Sequence, residues 1–104
     1  MNLEDCSRIH MLGIGGIGMS ALARFLALKG IQVTGYDKTE TPLTQSLVES
    51  GIPVKYQADL TSLEGIDAVI YTPAVPVDFP DFQVAKQSGI PMLKRSQVLG
   101  MISH

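Results

Sequence analysis

Four glycines, Gly13, Gly15, Gly16 and Gly18, fall within the short run GIGGIG. Each costs conformational entropy on folding, so their concentration needs a physical reason. The spacing Gly13-x-Gly15-x-x-Gly18 suits a backbone that must meet an anion. In that pattern the first glycine permits a tight turn. The second lets a diphosphate approach the main chain, and the third lets a helix pack closely on a strand. Free N–H groups at the helix start, with the helix dipole, favour negative charge there. On this reading Gly13, Gly15, Gly16, Ile17 and Gly18 bind a diphosphate.

Other residues can be placed around that anion. Asp37 lies roughly 20 residues beyond Gly18, where an acid in a dinucleotide-binding fold often holds ribose hydroxyls; a loop or cap aspartate is the alternative. Thr72-Pro73-Ala74 precedes Val75-Pro76, and the two prolines stiffen that loop. Thr72 through its hydroxyl, Pro73, and Ala74 through its backbone are candidate ligand contacts; a structural turn is the alternative. Arg95 can pair with a phosphate or carboxylate, and Ser96 beside it is a further candidate phosphate or substrate contact that can also cap a helix; a solvated basic pair, Lys94-Arg95, before a helix is the alternative. His10 has no second histidine nearby to make a metal site. The sequence holds no Ser–His–acid arrangement, no metal-ligand cluster and no Gly-x-x-x-x-Gly-Lys-Ser/Thr loop. The residues alone therefore describe binding without covalent chemistry.

These groups need a scaffold. Arg8 to Leu12 is a short apolar run ending at Gly13, and reads as a buried strand. Ile17 to Lys29 reads as a helix with Gly30 as its stop. Gln32 to Tyr36 is a second strand. Thr41-Pro42 offers a cap and a first helical proline for a helix that runs to Gly51. Ile52 to Tyr56 is a third strand, and Ala58 to Gly65 a loop or short turn. Ala68 to Tyr71 is a fourth strand, Pro80 to Ser88 a helix closed by Gly89, and Pro91 to Lys94 a fifth strand. Ser96 caps a last helix, Gln97 to Ser103. The alternation predicts an α/β, Rossmann-like, three-layer domain with a five-stranded parallel sheet. Its crevice should open between the first and fourth strands, where strand order reverses.

The chain has 104 residues, which suits one domain. Hydrophobic content is 45% and net charge −2 with no basic cluster, which argues for a globular domain and against nucleic acid as partner. Cys6 is the only cysteine, so no internal disulfide forms, and a cytoplasmic setting is expected. The opening residues Met1 to Asp5 are acidic and unlike a secretory signal. Met11 to Leu28 is apolar but carries four glycines and Arg24, so no membrane span is expected. The last helix meets His104 without a stop signal, and the chain is expected to be a piece of a longer protein.

The run Gly13-Ile14-Gly15-Gly16-Ile17-Gly18-Met19-Ser20-Ala21-Leu22-Ala23 closely resembles the start of the UDP-N-acetylmuramate–L-alanine ligases of the Mur ligase family. The likeness continues through Gly35-Tyr36-Asp37, Tyr71-Thr72-Pro73-Ala74-Val75 and Lys94-Arg95-Ser96-Gln97-Val98-Leu99-Gly100. Many members carry Ser-Asp at Tyr36-Asp37, Ser-Ser at Thr72-Pro73 and Gly-His near Tyr56-Gln57. The resemblance implies a Rossmann-like first domain that holds the UDP part of UDP-N-acetylmuramate. It implies ATP, Mg²⁺ and L-alanine acting in central and C-terminal domains, with no cofactor in this one. The family's central Gly-Thr-x-Gly-Lys-Thr-Thr loop does not occur in this sequence, so substrate binding without turnover is expected. The alternative is an NAD-binding module of a dehydrogenase or regulatory protein, which the glycine spacing and Asp37 allow.

Overall fold

The computed structural model describes residues 3–102. Five strands form one sheet: β1 (Arg8–Leu12), β2 (Gln32–Tyr36), β3 (Val54–Lys55), β4 (Ala68–Tyr71) and β5 (Met92–Lys94). Every pairing is parallel and the order is β3-β2-β1-β4-β5. The central strand β1 pairs His10 with both Thr34 and Val69. The α/β, Rossmann-like expectation is borne out, and so is the reversal of strand order between β1 and β4.

The helices are α1 (Ile17–Leu28), α2 (Pro42–Glu49), α3 (Pro80–Gln87) and α4 (Arg95–Ile102). Alternation along the strands sends their side chains to two cores. Ile9, Met11, Val33 and Ile70 pack with Leu22 and Leu26 of α1, Leu47 of α2 and Val98 of α4. Leu12 and Val69 pack on the other face with Phe82 and Ala85 of α3. Helices on both faces explain why the strands are short apolar runs.

Several boundaries differ from the sequence expectation. The second and third helices end at Glu49 and Gln87, with Ser50 and Ser88 as their last caps. The third strand shrinks to Val54–Lys55, and the supposed loop contains a short 3-10 helix, Leu60–Leu63. The last helix starts at Arg95, so Ser96 lies in its first turn and does not cap it. There β5 runs straight into α4, and Gln97 Oε1 accepts the Lys94 N–H at 2.8 Å, one half of a capping box. The expected end at Ser103 lies outside the described residues.

Thr41 caps α2 as the Thr41-Pro42 pair predicts, with a complete capping box to Thr44. The helices α1, α2 and α3 share one ending. Gly30, Gly51 and Gly89 take φ of +89°, +97° and +76°. In each case the glycine N–H and the N–H of the following isoleucine (Ile31, Ile52, Ile90) bond back to helix carbonyls. That is a Schellman ending, and only glycine takes this backbone shape without strain.

The crossover from β3 to β4 carries only the 3-10 helix, so the sheet beneath it is thinly covered. A cavity of about 110 Å³ lies there, lined by Arg8, His10, Thr34, Lys55 and Glu64 among others. His10 is buried, with Nδ1 2.7 Å from Thr34 Oγ1 and Nε2 without a partner. Burial pulls the pKa of His10 down to about 4. The folded chain thus favours the neutral ring, while the unfolded chain takes a proton near pH 6.5. The contribution is full above that value and is lost as pH falls toward 4. Urea unfolding should show a loss on the order of 2 kcal/mol between about pH 7 and about pH 4.5, removed in His10→Gln. Asp81 acts with the opposite sign: burial raises its carboxyl, so its contribution is lost as pH rises. A variant that keeps the acid loss would show that His10 does not cause it.

Candidate functional site

The glycine loop forms where β1 ends. Gly13 takes φ +86°, a shape that suits glycine. The N–H groups of Gly13 and Ile14 both donate to the Tyr36 carbonyl, at 2.8 and 3.0 Å. This ties the loop to the end of β2. Ile14 is fully buried, and its side chain lies against Gly35. Gly16 then stands as the N-cap of α1, with no side-chain cap. The first helical bond runs from Ser20 N–H to the Gly16 carbonyl at 2.8 Å. The N–H groups of Ile17, Gly18 and Met19 have no acceptor within the described residues. Three free donors at a helix start, with the helix dipole, favour negative charge.

The glycines do not all serve as the spacing predicts. A Cβ on Gly15 would lie 2.6 Å from Asp37 Oδ2 and 2.9 Å from Thr44 Cγ2. The close approach at the second glycine is therefore made by the chain's own side chains. A Cβ on Gly18 would lie 2.6 Å from Arg95 Cζ, Nε and Nη2. The third glycine makes room for a guanidinium instead of a strand. Gly16 is the open position: the atom nearest to its missing Cβ is the Gly13 carbonyl oxygen at 3.8 Å.

Arg95 enters the site because β5 passes directly into α4. Its Nε is buried without an acceptor. The ion pair found among the described residues is Lys55 with Asp59, at 3.1 Å, and does not involve Arg95. The guanidinium therefore sits unpaired against the positive end of α1. Two positive groups facing each other are unfavourable until an anion joins them. Lys94 and Ser96 are exposed beside it.

Asp37 is engaged within the loop. Its Oδ2 accepts the Gly15 N–H at 2.8 Å and its Oδ1 accepts the Thr39 N–H at 3.2 Å. The loop after β4 does face the glycine loop: Thr72 Oγ1 and Val75 Cγ2 lie 3.0 and 3.3 Å from the missing Cβ of Gly13. Pro73 and Ala74 are exposed at its tip. Tyr36 and Phe79 stack at 4.3 Å between ring centres and join the end of β2 to the start of α3. The structure thus brings Thr72, Asp37 and Arg95 against the glycine loop, at Gly13, Gly15 and Gly18 respectively. Sequence reasoning met Gly35 and Tyr56 only within strands and runs compared with the family, gave neither a role at the site, and did not single out Thr44. Glycine inside a strand is itself a signal of close approach, and Gly35 carries it.

The family model described as Mur ligase family, catalytic domain, matches residues 8–104. The chain belongs to the Mur ligase family. A UDP-N-acetylmuramate–L-alanine ligase of Phocaeicola vulgatus is 39% identical over 110 residues, which take in 100% of this chain and 24% of that protein. One from Agathobacter rectalis is 45% identical over 95 residues, 90% of this chain and 21% of its own length. The solved UDP-N-acetylmuramate–alanine ligase of Thermotoga maritima superposes with a TM-score of 0.83 and 37% identity, covering 88% of this chain and 21% of the other. This Mur ligase chain therefore spans about a quarter or less of the curated relatives it matches. Among the described residues no helix is long and apolar enough to cross a membrane, and no group of side chains could hold a metal ion.

Proposed function

We propose that this chain is the substrate-holding domain of an ATP-dependent ligase that joins L-alanine to UDP-N-acetylmuramate in peptidoglycan synthesis, in the cytoplasm. The observation that carries the proposal is the unpaired Arg95 guanidinium lying against Gly18 at the open start of α1. Relatives named for that reaction, at 39% and 45% identity, support the choice of ligand.

The N–H groups of Ile17, Gly18 and Met19 take one side of the diphosphate and Arg95 the other. Gly16 gives the phosphate room to come close. Thr72, Pro73 and Ala74 flank the uridine across the crevice, and Ser96 and Lys94 border the phosphate end. Asp37 borders the ribose while it holds Gly15. ATP, Mg²⁺ and L-alanine belong to further domains of the intact enzyme. The nucleotide is then a handle: binding energy gained far from the reacting carboxylate positions it for the chemistry. Each Asp37 oxygen accepts one backbone N–H and keeps acceptor capacity for a ribose hydroxyl, so it is the relatives named as ligases, and not this acid, that weigh against an NAD module.

Amide NMR during titration with UDP-N-acetylmuramate, UDP and NAD⁺ tests the proposal. Shifts centred on Gly16 to Met19 with both uridine ligands, and none with NAD⁺, are expected. Response to NAD⁺ alone would replace the ligase reading with a dinucleotide module.

A further inference from the structure

We propose that Tyr56 and Thr44 are positioning residues for the glycine loop, acting through Gly15; this rests on the reading of that loop as the diphosphate site. Thr44 is fully buried in the first turn of α2. Its hydroxyl donates to the Thr41 carbonyl at 3.0 Å. The same oxygen accepts the Thr41 N–H at 2.9 Å and the Tyr56 hydroxyl at 3.0 Å. One donor and two acceptor positions are all that a threonine hydroxyl has. Rotation of the side chain would break three hydrogen bonds at once.

A fixed hydroxyl fixes the methyl group. Thr44 Cγ2 points at Gly15, 2.9 Å from where a Cβ would stand. The same missing Cβ would stand 2.6 Å from Asp37 Oδ2, which accepts the Gly15 N–H at 2.8 Å. Gly15 is thus held by a carboxylate and packed against a methyl group that together fill the space at its Cα. It precedes Gly16, the N-cap from which the three free N–H groups follow. A peptide with glycine's freedom would let those donors wander, and ordering them on binding would weaken affinity. Tyr56 stands just beyond β3, at the carboxyl end of the sheet, so its reach to Thr44 ties α2 and the third strand to the loop.

Thr44→Ser keeps every hydrogen bond of the cap and removes only the methyl. Tyr56→Phe keeps the ring and removes one hydrogen bond. Amide exchange by NMR and UDP titration by calorimetry are measured on both variants and on the wild type. The Gly15 amide should exchange about 3- to 10-fold faster in each variant, with the Gly51 amide unchanged as internal reference. The UDP Kd should rise by a similar factor, about 3- to 10-fold. A role confined to capping α2 would leave Thr44→Ser like the wild type and overturn the proposal. Weaker binding with unchanged Gly15 exchange would overturn it too, because Tyr56 would then touch the ligand. If the wild type does not bind UDP, the diphosphate reading falls, while Gly15 exchange still decides whether the grip exists.

Discussion

Arg95→Ala should weaken UDP binding by about 10- to 100-fold, the range of one charge-assisted hydrogen bond of roughly 1.5–3 kcal/mol. The reasoning starts from the ligand-free chain. Among the described residues the guanidinium lies against Gly18 with no acid to balance it and no acceptor for Nε. Its placement is unfavourable beside the positive end of α1 and becomes favourable only with an anion present. Removing it should therefore leave thermal stability without ligand unchanged or slightly raised. A structural arginine would give the reverse, with lower stability and intact affinity. Arg95→Lys should fall between, because an ammonium keeps the charge but lacks the planar fork. Calorimetric titration with a parallel melting curve separates these outcomes.

Gly35→Ala should lower stability by about 1–3 kcal/mol, the usual range for overfilling a packed core. Gly35 lies in β2, paired with Met11 of β1 on one side and Val54 of β3 on the other. A Cβ there would stand 2.7 Å from Ile14 Cβ and 2.8 Å from Ile14 Cγ2. Neither partner can give way cheaply. The strand is bonded on both edges, and Ile14 is fully buried within the glycine loop. The strain should pass into that loop, so UDP affinity should fall as well. Denaturant unfolding and UDP titration on one sample check both effects. Wild-type values for both would show that Ile14 moves aside freely.

Much of the architecture was legible from residue types. The strands Arg8–Leu12, Gln32–Tyr36 and Ala68–Tyr71 stand where the short runs bounded by turn residues put them, and Ala68–Tyr71, covered by helices on both faces, is apolar throughout. The short third strand was read too long: only Val54 and Lys55 pair, at the edge of the sheet, where one neighbour is missing. The start of α4 was missed because Ser96 looks like a cap, whereas the reach-back of Gln97 to Lys94 appears only once β5 and α4 are seen to be continuous. At the site, the glycine spacing gave the loop and its helix correctly. It did not tell which atoms crowd each glycine. Asp37, Thr44 and Arg95 come from three separate segments, and single-sequence spacing carries no record of such encounters.

The shared Gly-Ile ending of α1, α2 and α3 divides the molecule into two kinds of surface. At the end of the sheet where strands begin, three near-identical local stops turn the chain back into the next strand. Each depends on its own few residues, and none touches the crevice. At the other end no two loops are alike. The instructions for winding the chain and those for recognising a ligand are thus written on opposite rims. Exchange of a crevice loop, in evolution or by grafting, leaves the winding instructions untouched.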